Sequence, residues 1–414
     1  MGKFDFRTGN LRKLLSAPMY AAGYAATRVI PRDNRRWAFG QATGVGAGAL
    51  ALYDEVRRSA PGMRTVWLVD NQADFDDCRR RGIAVVWKNT VRGFWQTARS
   101  RVVVVTHGFG DANRFGVFGA FIVQLWHGTP LKLLHLDSPA TMHVTALERF
   151  SPVVRLLRES YTRAGKQIGM FVAASDEAAS RFKTGFALRD DQVAVTGDPR
   201  MDRLCHADSP AVRHDAESRL VDTLGLEAVP RGGFLMYAPT WRDGADNPKT
   251  LSGAGRARLE SYLARSDTVL IVRSHRLGSD PNFVDEAFEG SRVRFLPETE
   301  VKDVIEVLGA VDVLITDYSA VVFDFSATGR PIIFLAPDLE KYSRLRGLYE
   351  DYGAFTGGDY ATTWDDVVVR LEKLDGAEEE RAKARTRGIR SRFQAFDDGG
   401  NTRRVVDEIR RRLG

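Results

Sequence analysis

The chain has 414 residues but only two cysteines, Cys78 and Cys205. That excludes a disulfide scaffold and a multi-cysteine zinc module, and it fits a reducing compartment. A membrane-spanning stretch is also lacking. The uncharged run from Leu14 to Thr27 is shorter than the ~20 apolar residues a span needs. No small-residue cleavage site follows it, so it does not read as a signal peptide. There is no P-loop, no G-x-S-x-G, and no H-E-x-x-H, D-x-D-type or paired-cysteine ligand cluster, so neither a metal nor a cofactor is expected. Solenoid repeats and long low-complexity tracts are missing too. What is present, 43% hydrophobic and 28% charged residues, excludes a disordered, collagen-like or polytopic membrane chain. At ~150 residues per domain, two or three domains are expected.

The formal charge is +6, and its location is informative. Residues 1–36 hold eight basic and two acidic residues, and residues 376–414 hold eleven basic and seven acidic ones. The two ends therefore carry +6 and +4, which leaves −4 for everything between them. A nucleic-acid binder spreads basic charge over its folded surface. The expected partner is therefore an anionic membrane surface, with no nucleic acid. Within residues 1–34, Leu11, Leu14, Leu15, Met19, Ala22 and Ala26 recur at helical spacing, with Pro18 as an expected kink. Basic residues at both ends suit an amphipathic helix lying in the membrane interface. The same spacing also suits a helix packed on the protein's own core.

Beyond this segment, apolar runs alternate with helical stretches. Strands are expected at 65–69, 83–87, 101–106, 121–126, 170–174 and 192–196, then at 234–238, 269–273, 293–296, 313–316 and 331–335. Continuous runs such as Val102–Val105 and Val269–Val272 are what strands buried on both faces look like, and these belong to parallel sheets. The fold class expected is α/β, with two Rossmann-like domains facing across a cleft. The domains are placed at 35–205 and 206–375, with the boundary inside 203–232, and basic helices follow at 376–414.

Ligands of open parallel sheets bind beyond the carboxyl ends of the strands, and four such places stand out. After FIVQLW comes His127, then a turn through Gly128, Thr129 and Pro130. A histidine there is a general base at neutral pH, or a strand cap with structural bonds only. After FLMYAP come Thr240, Trp241 and Arg242, which suit phosphate binding and base stacking, or simply cover a strand end. Arg273 and His275 leave the VLIV strand together as a positive rim for a diphosphate, unless the arginine pairs with a carboxylate. Last, Thr316-Asp317-Tyr318-Ser319 runs into a helix that ends near Gly329. That turn offers hydroxyls and helix N–H groups to phosphate, or is an ordinary capped turn. His107, after VVVVT, has glycine-rich neighbours that match no phosphate-loop spacing, and it is set aside together with the remaining histidines.

Taken jointly, WHGTPLK at 126–132, GDPRMD at 197–202, YAPTWRD at 237–243, RSH at 273–275, ITDYSAVVFDF at 315–325, RPIIF at 330–334 and RGLYEDY at 346–352 resemble the CDP-glycerol glycerophosphotransferase family of teichoic acid synthesis. The resemblance spans roughly residues 35–360. It implies a glycosyltransferase-B-like fold. It also implies transfer of glycerol phosphate, or another polyol phosphate, from a CDP-polyol to a hydroxyl of a lipid-linked acceptor at the cytoplasmic membrane face, with release of CMP and no metal. In the family's roles His127 is the catalytic base and His275 serves the donor diphosphate. The substrate-binding set it implies is Thr129, Lys132, Thr240, Trp241, Arg242, Arg273, Thr316, Asp317, Ser319, Asp324 and Arg346. The chain departs from the family pattern at Arg276, Ala320, Asp198 and Met201, near the donor, which leaves the polyol open. Its short length resembles members that add one or a few units to a primer. The rival readings are a glycosyltransferase using a nucleotide sugar on the same fold and an inactive, polymer-binding membrane-surface protein.

Overall fold

The structure is a computed structural model, and it describes residues 16–139, 151–240, 242, 247–273, 280–283, 288 and 291–414. Two compact units divide the chain. The first takes 4–129, 134–202 and 394–414, and the second takes 130–133 and 203–393.

The first unit is built on a seven-stranded parallel sheet, in the order β3-β2-β1-β4-β5-β6-β7. The strands are β1 (Asp33–Gly40), β2 (Arg64–Val69), β3 (Val85–Trp87), β4 (Ser100–Val105), β5 (Phe121–Gln124), β6 (Ile168–Ala173) and β7 (Val193–Val195). The strand order reverses between β1 and β4, the place where doubly wound sheets open a ligand crevice. The central strand β1 is missing from the strands expected above. Its first half, Asp33–Arg36, is polar and only its second half is buried, so charge disguised it. Its neighbours β2 and β4 both pair with it in parallel.

Helix Ala17–Val29 precedes β1 and carries Pro18 in its first turn. The proline therefore starts this helix rather than kinking it, since its missing N–H is one the first turn leaves unpaired anyway. Leu11, Leu14 and Leu15 lie outside the described residues. Tyr20 meets Phe115 and Phe118 edge-on at 5.0 and 6.3 Å, and a Cβ at Gly23 would stand 2.3 Å from the Phe115 carbonyl oxygen. One face is thus packed, while Met19, Tyr24 and Val29 are exposed. Arg32, counted above toward membrane charge, is spent internally. Its guanidinium donates to the carbonyls of Thr97, Ser100, Gly116 and Phe118, and burial, helped by Arg101, lowers its pKa to about 10.

The second unit has a five-stranded parallel sheet ordered β10-β9-β8-β11-β12. It comprises β8 (Phe234–Tyr237), β9 (Val269–Val272), β10 (Val293–Phe295), β11 (Val311–Thr316) and β12 (Ile332–Phe334). Its order reverses between β8 and β11. All of β8, β9 and β12 is buried, as their uninterrupted apolar sequences require. The 376–414 segment is shared between the units. Helix Gly376–Phe393 lies in the second, whereas helix Asn401–Leu413 joins the first. Val405, Val406 and Ile409 of the latter enter the core cluster of Ala49, Leu52, Tyr53 and Val56. The Asp202 carboxylate caps that helix by accepting the N–H groups of Asn401 and Thr402 at 2.9 and 2.8 Å, so the last residue of GDPRMD is structural.

Candidate active site

In the first unit, β4 and β5 deliver two histidines at neighbouring strand ends. Gln124 ends β5, and its side-chain oxygen accepts the N–H of Trp126 at 3.1 Å. Trp126 is held at φ 59°, a region that bulky residues avoid unless their surroundings impose it. The imposition is visible in the packing of the indole against Phe171, Phe182 and Phe186. With that ring buried, the chain must turn, and Gly128 at φ 124° completes the turn. His127 is left exposed between them. Its Nδ1 lies 3.2 Å from the Thr106 carbonyl oxygen. A carbonyl only accepts, so Nδ1 carries the hydrogen and the lone pair sits on Nε2.

His107 follows β4 and was set aside on sequence. Its ring stacks on that of His127, with centroids 4.2 Å apart and planes 8° from parallel. Asp111, buried at the end of the 3₁₀ turn Phe109–Asp111, accepts the N–H groups of Thr106 and His107 at 2.8 and 2.7 Å and the Thr106 hydroxyl at 3.3 Å. The close fit of that loop explains Gly40 at the end of β1, where a Cβ would stand 2.1 Å from the Asp111 carbonyl oxygen. Burial holds the His107 pKa below its ordinary value; Asp111 opposes this and Arg200 adds to it. Thr129 is buried just beyond the turn.

In the second unit the polar groups hold one another. The Asp317 carboxylate accepts the Thr240 N–H at 2.8 Å and pairs with Arg242 at 2.6 Å. This joins the ends of β8 and β11 at the point where strand order reverses. Arg242 also forks onto Asp338 at 3.0 and 2.9 Å and lies over the rings of Tyr318 and Tyr342. Burial opposes its charge, yet Asp317 and Asp338 raise its pKa. The Tyr318 hydroxyl donates to Asp338, and the Tyr352 hydroxyl donates to the Asp317 carbonyl. Arg242 and the Asp317 carboxylate are thus bound to each other and brace the turn. The Thr316 hydroxyl is likewise donated, to the Ala238 carbonyl at 2.8 Å. The helix that follows is only Val321–Phe325. Ser319 is partly exposed at its start and Asp324 is buried within it.

Two groups at these strand ends are left over. Arg273, just past β9, donates Nη2 to the Val301 carbonyl at 2.7 Å, but its Nη1 is buried without a hydrogen-bond partner among the described residues, as is the Thr240 hydroxyl. Burial lowers the Arg273 pKa, with Glu298, Asp303 and Glu306 only partly offsetting it. A buried cation with an idle donor is costly, and an anion would relieve it. Trp241 and His275 lie outside the described residues.

The tail of WHGTPLK is also part of the second unit. Lys132 pairs with Leu348 as an antiparallel bridge. Leu133 donates to the Gly347 carbonyl at 3.1 Å, and Tyr349 donates to Leu131 at 3.0 Å. Arg346, last in helix Leu339–Arg346, immediately precedes this pairing. The end of WHGTPLK and the start of RGLYEDY are thus one local structure.

The family model described as CDP-glycerol:poly(glycerophosphate) glycerophosphotransferase matches residues 27–411. The chain belongs to this family. It is a glycerophosphotransferase. Among curated members it is 28% identical over 299 residues to the teichoic acid glycerol-phosphate transferase of Staphylococcus aureus, covering 69% of this chain and 70% of that one. It is 24% identical over 407 residues to a teichoic acid poly(glycerol phosphate) polymerase of Bacillus spizizenii, covering 94% and 96%. The latter overturns the argument from length, because a relative matched almost end to end is named a polymerase. A solved structure of the wall teichoic acid polymerase TagF superposes with a TM-score of 0.74 at 21% identity, over 98% of both chains, and establishes the glycosyltransferase-B-type fold for this glycerophosphotransferase. Sequence reading set His107 aside and overlooked Asp111 and Asp338. All three stand just past apolar strands, which was the available signal.

Proposed function

We propose that the chain transfers glycerol phosphate from CDP-glycerol to a hydroxyl of a lipid-linked, teichoic-acid-type acceptor. The acceptor oxygen attacks the glycerol-bearing phosphorus, the new P–O bond forms, and the bond to CMP breaks. The hydroxyl proton passes to Nε2 of His127, and CMP leaves with the bonding electrons. Such displacements need positioning, charge stabilisation and a proton acceptor more than covalent help. The observation that carries this reading is the orientation of His127, exposed at a strand end with its Nδ1 hydrogen directed at a carbonyl. On the donor side, Arg273, Thr240 and the Thr316–Ser319 turn receive the diphosphate, with His275 beside it. Lys132 and Arg346 add positive charge to the same unit, and Trp241 stacks on the cytosine.

The test is a donor panel of CDP-glycerol, CDP-ribitol and UDP- or GDP-sugars with a synthetic lipid-linked acceptor. Release of CMP from CDP-glycerol, lost in His127→Ala, is the expected result. Release of UDP or GDP instead would make the chain a glycosyltransferase.

The same reading places the enzyme on the cytoplasmic membrane face, bound peripherally through an anionic lipid surface. Val29 is 80% exposed beside Arg28, and Val91 and Trp95 are 86% and 50% exposed on helix Val91–Arg99. Apolar and aromatic groups among arginines suit the interfacial region. Val29→Asp combined with Trp95→Ser should reduce pelleting with phosphatidylglycerol vesicles, and unchanged pelleting would contradict the assignment.

A further inference from the structure

We propose that His107 is a positioning residue for the transfer, fixing the plane of the His127 imidazole by face-to-face stacking and presenting the ring face against which that imidazole takes up its proton. The proposal rests on the reading of His127 as the base.

His127 has two side-chain torsions to settle once its backbone is set by Trp126 and Gly128. The Thr106 carbonyl holds one ring nitrogen at 3.2 Å, and the Trp126 ring lies against the imidazole at 4.1 Å and 31°. The parallel contact at 4.2 Å and 8° fixes the plane of the ring. It does so from a ring that is itself anchored, since Nδ1 of His107 is 2.8 Å from the Thr106 hydroxyl and the backbone N–H groups of both residues are bound by Asp111. The chain of support runs from the Asp111 carboxylate, through the turn after β4, to the His107 ring, and on to the His127 ring. A carboxylate orients a catalytic imidazole in many hydrolases by direct contact. Here the carboxylate acts one residue removed, through backbone and a second imidazole.

The electrostatics agree. The charged groups acting on His107 are Asp111 from its own loop and Arg200 from the segment after β7, with His127 across the stack. When His127 accepts the acceptor's proton it becomes a cation stacked on an aromatic ring. A neutral partner favours that cation through its π face, whereas a protonated partner would repel it. Burial, helped by Arg200 and opposed by Asp111, lowers the His107 pKa and so favours its neutral form.

The experiment compares four variants of the full chain with CDP-glycerol and a soluble acceptor analogue. His107→Ala should lower kcat by about 10-fold or more while the donor KM changes less than about 2-fold, the pattern of an interaction made only in the transition state. His107→Phe, which keeps a flat ring and discards the nitrogens, should recover most of that loss. His107→Arg places a permanent cation in the stack, so the acidic limb of the pH–rate profile should move to lower pH by about one unit. His127→Ala should abolish the limb altogether. If His107→Ala matches wild type, or His107→Phe is as impaired as His107→Ala, the positioning role is overturned while the base assignment stands. If His127→Ala keeps its kcat and its limb, the base assignment itself fails, whichever way the His107 variants behave. Should His107→Ala melt early, the shift or absence of shift in the His107→Arg limb still decides the matter.

Discussion

At the end of the seven-stranded sheet the functional side chains are held by backbone atoms and by each other's flat faces. At the end of the five-stranded sheet they are held by opposite charges. The Thr106 carbonyl and the His107 ring orient His127 through a hydrogen bond and a stack. Asp317, Asp338 and Arg242 form an ion group in which Arg242 and Asp317 are buried and Asp338 is half-buried. The difference fits the work proposed for each end. A base that gains and loses a proton is oriented here through a hydrogen bond and a stacked ring, and a turn that receives phosphate repeatedly needs a frame that stays put. Two arginines of the second unit sharpen the contrast: Arg242 has spent its donors on protein, whereas Arg273 keeps Nη1 without a partner among the described residues.

The largest expected effect tests the proton-handling end. His127→Ala should reduce kcat by ~10²–10⁴-fold with donor affinity within a few-fold, the usual worth of general-base help. Wild-type rate should rise with pH through an acidic limb in the imidazole range, ~6–7, and the variant should lose that limb.

Arg242→Ala tests the frame. It leaves the buried Asp317 and the half-buried Asp338 without their cation, and breaking a buried pair typically costs ~3–5 kcal/mol. For a unit of this size that lowers Tm by roughly 10 °C. A melting curve unchanged within error would mean that the ion group is not the brace described.

Arg273→Gln should behave in the opposite sense. The donor KM should rise about 10-fold, since a charge-assisted hydrogen bond is worth ~1.5–3 kcal/mol, while Tm holds or increases because a strained buried cation is gone. If Arg273→Gln melts early and binds the donor normally, the two arginines have the same role and the contrast collapses.

The smallest effect concerns His107. Its folded pKa lies below its ordinary value, so the folded state binds fewer protons than the unfolded chain near pH 6. The stability it contributes is present above the ordinary value of 6.5 and is lost as pH falls below it. Thermal melts between ~pH 7.5 and 5.5 should therefore slope less steeply with pH in His107→Phe than in wild type.

Much of this was legible from the chain alone. Buried parallel strands announce themselves as runs of Val, Ile and Leu, and the residues just after those runs delivered His127, Thr240, Arg273 and Asp317. What escaped had a physical cause in each case. Strand β1 hid because Asp33–Arg36 is polar while pairing with neighbours on both sides. Asp338 hid because its partner Arg242 is 96 residues away, and sequence does not show pairings of that range. His107 hid because a stack between two strand ends depends on β4 and β5 being neighbours, which is topology rather than motif. The ion pairs of Arg242 with Asp317 and Asp338 span 75 and 96 residues, so they too are absent from any local motif.

The helix Asn401–Leu413 has a consequence for how the molecule is made. It fills an apolar surface of Leu52, Tyr53 and Val56 in the first unit, yet it is translated after the whole second unit. At ~5–20 residues per second, residues 203–401 take roughly 10–40 s to synthesise. Through that interval the nascent first sheet waits with the apolar groove beside helix Ala47–Ser59 uncovered and the Asp202 carboxylate uncapped, while the second unit has all its own residues by Phe393 and can close first. Ribosome-bound chains should therefore acquire protease resistance in the reverse of their sequence order, later-made unit before earlier-made one. A stop codon at 394 would spare the second unit and leave the first as the substrate of quality control.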